Sequence, residues 1–131
     1  MRAGIEIREA HFPGRAQIDA YGNGGFRFAD MSHRGSVLLL PSGIFGWNVS
    51  SMADVSAHNI AQIISEATDI DVLLFGCGTD LMRVPEAIRQ VLRDHKITCD
   101  SMSTGAAVRT YNVLLAEERK VAAALIAVDN A

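Results

Sequence analysis

The stretch that most constrains this chain is Asp71-Val72-Leu73-Leu74-Phe75-Gly76-Cys77-Gly78-Thr79-Asp80. Val72 to Phe75 is an unbroken apolar run without a solvent-facing position, and such a strand is buried on both faces, as the central strands of α/β sheets are. It runs into Gly76-x-Gly78-Thr79, a backbone-permissive turn that precedes a helical segment. Ligands of open α/β sheets bind at the carboxyl ends of strands, so this loop is the first place to look for a site.

The rest of the chain is organised around that strand. Gln17 to Tyr21 and Phe26 to Phe28 alternate with period two around Gly22-Asn23-Gly24-Gly25, which predicts a β-hairpin. Strands are expected at 36–40 and, after Pro41-Ser42-Gly43, at 44–49. Ile60, Ile63, Ile64 and Ala67 recur at helical spacing and predict an amphipathic helix over 56–67, N-capped by Asp54 or Ser56. A second helix begins near Pro85, with Glu86 at its positive end and Ile88, Val91 and Leu92 inward. Residues 97–102 form another strand. Ser103 or Thr104 caps a third helix whose inward face is Ala107, Tyr111, Leu114 and Leu115. Val121 to Val128 lacks both charge and turn residues and reads as a sheet-centre strand. Residues 1–16 form a loosely ordered arm with a short strand possible over 5–7. The order after residue 54 is α-β-α-β-α-β, an α/β fold, and with no linker, repeat or low-complexity tract the 131 residues are expected to be one domain.

Composition narrows the function classes. A formal net charge of −3 argues against general nucleic-acid or acidic-membrane binding. The longest apolar run falls short of the roughly 18 residues needed to span a bilayer. The N-terminus lacks the apolar centre of a signal peptide. Cys77 and Cys99 form no C-x-x-C pair, which favours a reducing, cytoplasmic compartment.

The Gly76-Cys77-Gly78-Thr79 loop is not a nucleotide fingerprint. The dinucleotide motif requires G-x-G-x-x-G, and Leu81 stands at the third position; the Gly-Lys-Ser/Thr of the Walker loop is missing. The four histidines lack metal-ligand spacing, and no metal or cofactor is expected. Cys77 has no base near it in sequence, so no catalytic residue is assigned and the reading leans away from an enzyme. One constellation is left. If the strands at 71–75 and 97–102 are parallel neighbours, Gly76, Cys77, Gly78 and Thr79 lie beside the Ser101–Gly105 turn. Thr104, with Arg109 and Asn112 behind it, would then complete a polar crevice suited to a small anion. The plainer alternatives are a tight glycine connection and an ordinary N-cap.

Trp47-Asn48-Val49, Gly76-x-Gly78 after an apolar strand, Thr104-x-x-Ala107 with Thr110-x-Asn112, Glu117-x-Arg119 and Ala123-Ala124-Leu125-Ile126 together resemble the Mth-type domain family of small uncharacterised proteins. That family includes a mitochondrial respiratory complex I assembly factor, and the resemblance runs over residues 17–128. It implies a three-layer β/α fold with a mixed central sheet whose last strand is central and antiparallel. It also implies a non-enzymatic factor that binds protein partners during assembly of a membrane complex. The family loop commonly reads Gly-Thr-Gly, whereas Cys77 occupies the middle position here, so a hydroxyl role is not carried over to it.

Overall fold

A computed structural model describes residues 12–129; the short strand expected over 5–7 lies outside them. The elements are β1 (Ala20–Gly22), β2 (Gly25–Phe28), β3 (Met31–Arg34), β4 (Ser36–Leu40), β5 (Gly43–Trp47), α1 (Ala61–Ile64), β6 (Val72–Gly76), α2 (Glu86–Asp94), β7 (Thr98–Met102), α3 (Thr104–Ala116) and β8 (Val121–Leu125). Five strands form the central sheet in the order β5-β4-β8-β6-β7, and β1, β2 and β3 form a smaller antiparallel sheet.

The apolar runs are explained by burial on two faces. Strand residues alternate sides, so Leu38, Leu40, Leu73, Phe75, Ala122 and Ala124 join one core with Ile60, Ile63, Ile88 and Leu92. Val37, Leu39, Leu74, Val121, Ala123 and Leu125 join the other with Ala107, Val108, Tyr111, Phe26 and Phe28. The result is three layers: α1 and α2 on one side, the sheet, and α3 with the small sheet on the other. Helix placement follows from chirality. The connection from β6 to β7 moves outward and that from β7 to β8 moves back across β6, and crossovers of one hand then put α2 and α3 on opposite faces.

β8 is central, as expected, and its five residues are all buried. Its antiparallel pairing is with β4 alone; with β6 it is parallel. Its alanines hold this crowded position because a methyl group lets β4 and β6 be covered closely from both faces.

Three local differences have identifiable causes. The 56–67 segment is not one helix: only Ala61–Ile64 is α-helical, and short 3-10 turns flank it at Met52–Asp54 and Ala67–Asp69. The amide and hydroxyl of Ser56 both donate to Asn59 Oδ1, at 2.9 and 2.6 Å, which ties the segment into a local turn instead of capping a helix. The spaced isoleucines are nevertheless buried as their periodicity requires. A second hairpin joins β2 to β3 through Ala29 and Asp30, both at positive φ (49° and 62°). Finally, the 121–128 strand stops at Leu125, because Val128 and Asp129 leave the central sheet and their carbonyls accept from Gly24 N and Asn23 N of the small sheet's turn.

Candidate functional site

β6 and β7 are parallel and adjacent, with Gly76 opposite Met102, so the loops that leave them start side by side. The loop after β6 leads toward α2 and the loop after β7 into α3, on opposite faces, which is the geometry that opens a crevice in α/β sheets. In this protein the crevice is laced shut by hydrogen bonds. Cys77 N donates to Met102 O at 2.8 Å, Thr104 N to Gly78 O at 2.8 Å, and Ile126 N to Gly76 O at 2.9 Å. The fully buried Thr104 hydroxyl donates to Ile126 O at 2.7 Å and accepts from Gly78 N at 3.0 Å. One side chain thereby holds the ends of β6, β8 and α3 together.

Two glycines make this possible. A Cβ on Gly76 would stand 3.0 Å from Thr104 Cα and 2.9 Å from Leu125 Cδ2, so only glycine permits the approach. Gly78 has φ +100°, a conformation that side chains disfavour, and open space faces the position a Cβ would take. Ser103 is the N-cap of α3, accepting from Ala106 N at 3.3 Å.

The structure gathers Gly76, Cys77, Gly78 and Thr104 in one place. Beside the loop lies a cleft of about 260 Å³, lined by Cys77, Gly78 and Thr79 with Ser50, Ser51, Met52, Met82 and Ile126 to Asp129. The Cys77 thiol is buried and donates to Met82 O at 3.3 Å. Thr104, Arg109 and Asn112 do not line this cleft. Asn112 instead clamps the backbone of Ile18: its Oδ1 accepts from Ile18 N and its Nδ2 donates to Ile18 O, both at 2.9 Å. Arg109 is exposed on α3 and reaches over Gly105, where its Nη1 is 3.5 Å from the position a Cβ would occupy, close to the Tyr21 hydroxyl.

Sequence reasoning missed the cleft walls at 50–52 and 126–129. The available signal was the polar Ser50-Ser51 pair ahead of a buried methionine, but its contact with the end of β8 depends on strand order, which no local pattern encodes. Among the described residues, no group of three or more His, Cys, Asp or Glu side chains is placed to hold a metal ion. Among the described residues three groups have displaced acidities: the hydrogen bond from Arg93 holds the exposed Glu86 carboxyl below its usual value, and burial displaces two others. Burial pushes the Cys99 thiol up to about 11, against a smaller opposing pull from Arg89. Burial likewise pushes the Tyr111 phenol up to about 12, with Arg15 opposing. Cys99 and Tyr111 are therefore protonated near neutral pH.

The sequence pattern of the family described as a protein of unknown function (DUF498/DUF598) matches residues 18–126. The chain belongs to this family. Among similar proteins, an uncharacterized protein of Rhodobacter capsulatus is 36% identical, with 91% of this chain and 90% of that protein covered. NADH dehydrogenase [ubiquinone] 1 alpha subcomplex assembly factor 3 of Mus musculus is 29% identical, with 95% of this chain and 68% of that protein covered. Of solved structures, one described as an outer membrane protein from Bartonella henselae is 57% identical, has a TM-score of 0.88, and covers 91% of this chain and 100% of its own. A Rhodopseudomonas palustris protein solved by NMR is 45% identical, with a TM-score of 0.80 and coverage of 98% and 93%. A Bordetella pertussis protein described as a Mth938-like domain is 23% identical with a TM-score of 0.77 and coverage of 96% and 95%; it shows the shared Mth-type fold. Among the described residues, no helix is long and apolar enough to cross a membrane.

Proposed function

We propose that this protein is a non-enzymatic binding factor that works in the cytoplasm and assists assembly of a membrane respiratory complex through contacts with protein partners. The observation that carries this reading is the likeness to assembly factor 3, which extends along 95% of this chain. The packing is consistent with it: the Thr104 hydroxyl and the Asn112 amide, the best polar groups for a small ligand, are spent on the protein's own backbone. Affinity purification of the tagged chain from its native cells, with membranes included, tests the reading. Recovery of a respiratory-complex subunit at near-stoichiometric level is expected, and a bait that returns alone overturns it.

A second reading places a small anion or metabolite beside Gly78 and Thr79. The cleft of about 260 Å³ supports it, at the strand ends where α/β sheets take ligands. A thermal-shift screen with inorganic anions tests it, and stabilisation that persists unchanged in Gly78→Val removes it.

A further inference from the structure

The two edges of the central sheet are finished differently. At β5 the edge is engaged: Ile44 N donates to Phe12 O at 2.9 Å, so the segment before β1 lies along that strand. At β7 nothing equivalent occurs among the described residues. Thr98, Asp100 and Met102 direct their backbone groups toward β6, as the bonds from Thr98 N to Asp71 O and from Cys77 N to Met102 O show. The alternation of a parallel ladder then turns the N–H and C=O groups of Cys99 and Ser101 outward. No backbone or side-chain hydrogen bond meets those outward groups among the described residues.

An open edge is a template for another strand, and folded proteins usually blunt such edges with lysine, proline or a bulge. The β7 sequence Thr-Cys-Asp-Ser-Met has none of these, and its one charged residue is the exposed Asp100. Its flank is shaped for contact. A groove of about 300 Å³ runs between Cys99 to Ser101 and the segment Leu81 to Val84, with Arg89 of α2 at its margin. Leu81 is 67% exposed and Met82 50% exposed, two of only three large apolar side chains left in solvent among the described residues. Among the same residues Arg83 makes no ion pair, and Arg89 has only a loose one, 3.9 Å from Glu86. Asp100 also lines the groove, but Cys99 packs on the α2 side and Met102 on the α3 side, so alternation turns the Asp100 carboxylate with Met102, away from the two arginines.

We propose that β7 is a docking edge that accepts an extended, acidic segment of a partner protein as an added strand. The backbone of Cys99 and Ser101 supplies the ladder, Leu81 and Met82 cover apolar side chains of the guest, and Arg83 and Arg89 meet its carboxylates. Charge decides the occupant. A second copy would set Arg83 and Arg89 of one chain near those of the other, and in the register that matches Cys99 to Ser101 it would oppose Asp100 to Asp100, which is unfavourable across a strand pair. The inference rests on the reading that the protein acts through protein partners, and it names the surface.

The probe is a short synthetic peptide of alternating valine and glutamate, compared with one of alternating valine and lysine, added to the full chain. The glutamate peptide should bind at least about ten-fold more tightly than the lysine peptide and weaken as salt is raised. Amide hydrogen exchange should slow at Cys99 and Ser101. Ser101→Pro should abolish binding while the protein still melts as the parent does, because the lost N–H faces outward and proline is tolerated on such an edge. Equal binding of both peptides, no binding, or protection away from β7 overturns the proposal, as does a homodimer that protects the β7 amides without peptide. If Ser101→Pro does not fold, Arg83→Glu with Arg89→Glu replaces it, and undiminished binding of the glutamate peptide to that variant overturns the proposal equally. Native purification that still recovers its partner with Ser101→Pro would sink the edge while leaving the assembly reading intact.

Discussion

Thr104 and Tyr111 sit on the same inward stripe of α3, and both are shut off from solvent. Their hydroxyls have opposite fates. Thr104 is bonded on both sides and fastens the ends of β6 and β8 to the helix. The Tyr111 hydroxyl has no hydrogen-bond partner among the described residues. The contrast separates two reasons for burying a polar residue. For Thr104 the oxygen is what the fold requires. For Tyr111 the ring is what matters: burying a large apolar side chain is worth about 1.5–3 kcal/mol, enough to offset an unmade hydrogen bond costing about 1–3 kcal/mol.

The sharpest way to break the contrast is Thr104→Val, which preserves shape and removes the fastening. It leaves Ile126 O and Gly78 N short of a partner, and a loss of about 2–4 kcal/mol is expected from urea unfolding. Unchanged stability would show that the hydroxyl is not what holds the junction. An alkaline titration comes next in size. Cys99 and Tyr111 both have folded-state pKa values raised by burial, to about 11 and about 12. Raised values mean that the folded state holds its protons more firmly than the unfolded chain. Their contribution is therefore full below the ordinary thiol value of 9.0 and is lost as pH climbs through about 11 and then about 12. A melting temperature that is level above pH 9 would mean these groups are solvated. The smallest effect belongs to Tyr111→Phe, which deletes only the orphan oxygen. Stability should stay within about 1 kcal/mol of the parent or rise slightly. A large loss would reveal a partner for the phenol and dissolve the contrast with Thr104.

The same residues show how far the sequence could be read. β4, β6 and β8 were legible because two-sided burial leaves no polar interruption in Val37–Leu40, Val72–Phe75 or Val121–Leu125. The closeness of Gly76 to Thr104 followed from the parallel pairing of the strands before them. Helical phase was the missing information for Arg109 and Asn112. They fall off the stripe of Thr104, Ala107, Val108 and Tyr111, so one is exposed and the other turns to Ile18. β3 was hidden for a different reason. Its hairpin turn uses Ala29 and Asp30 in the left-handed region, where glycine or asparagine is the usual marker. The 56–67 segment misled because its buried isoleucines keep helical spacing while Ser56 bonds Asn59 across a turn and Glu66 is drawn to the distant loop at Ser42. Glu66 accepts from both the amide and the hydroxyl of Ser42. Such side-chain bonds compete with a helix and leave no trace in apolar periodicity.

The position of β8 has a consequence for how the protein is made. It is the strand between β4 and β6, yet it comes after both of them, and after β7, in the chain. The hairpin turn of the small sheet also depends on residues beyond β8, since Asn23 N and Gly24 N donate to Asp129 O and Val128 O, each at 2.8 Å. A ribosome delivers the two flanks of the sheet before the strand that joins them. Until residue 125 has left the exit tunnel, β4 and β6 each carry an unpaired central edge, and neither core can close. Closure of the central sheet thus waits for β8, and a nascent chain stalled before it would be two open half-sheets in need of protection from aggregation.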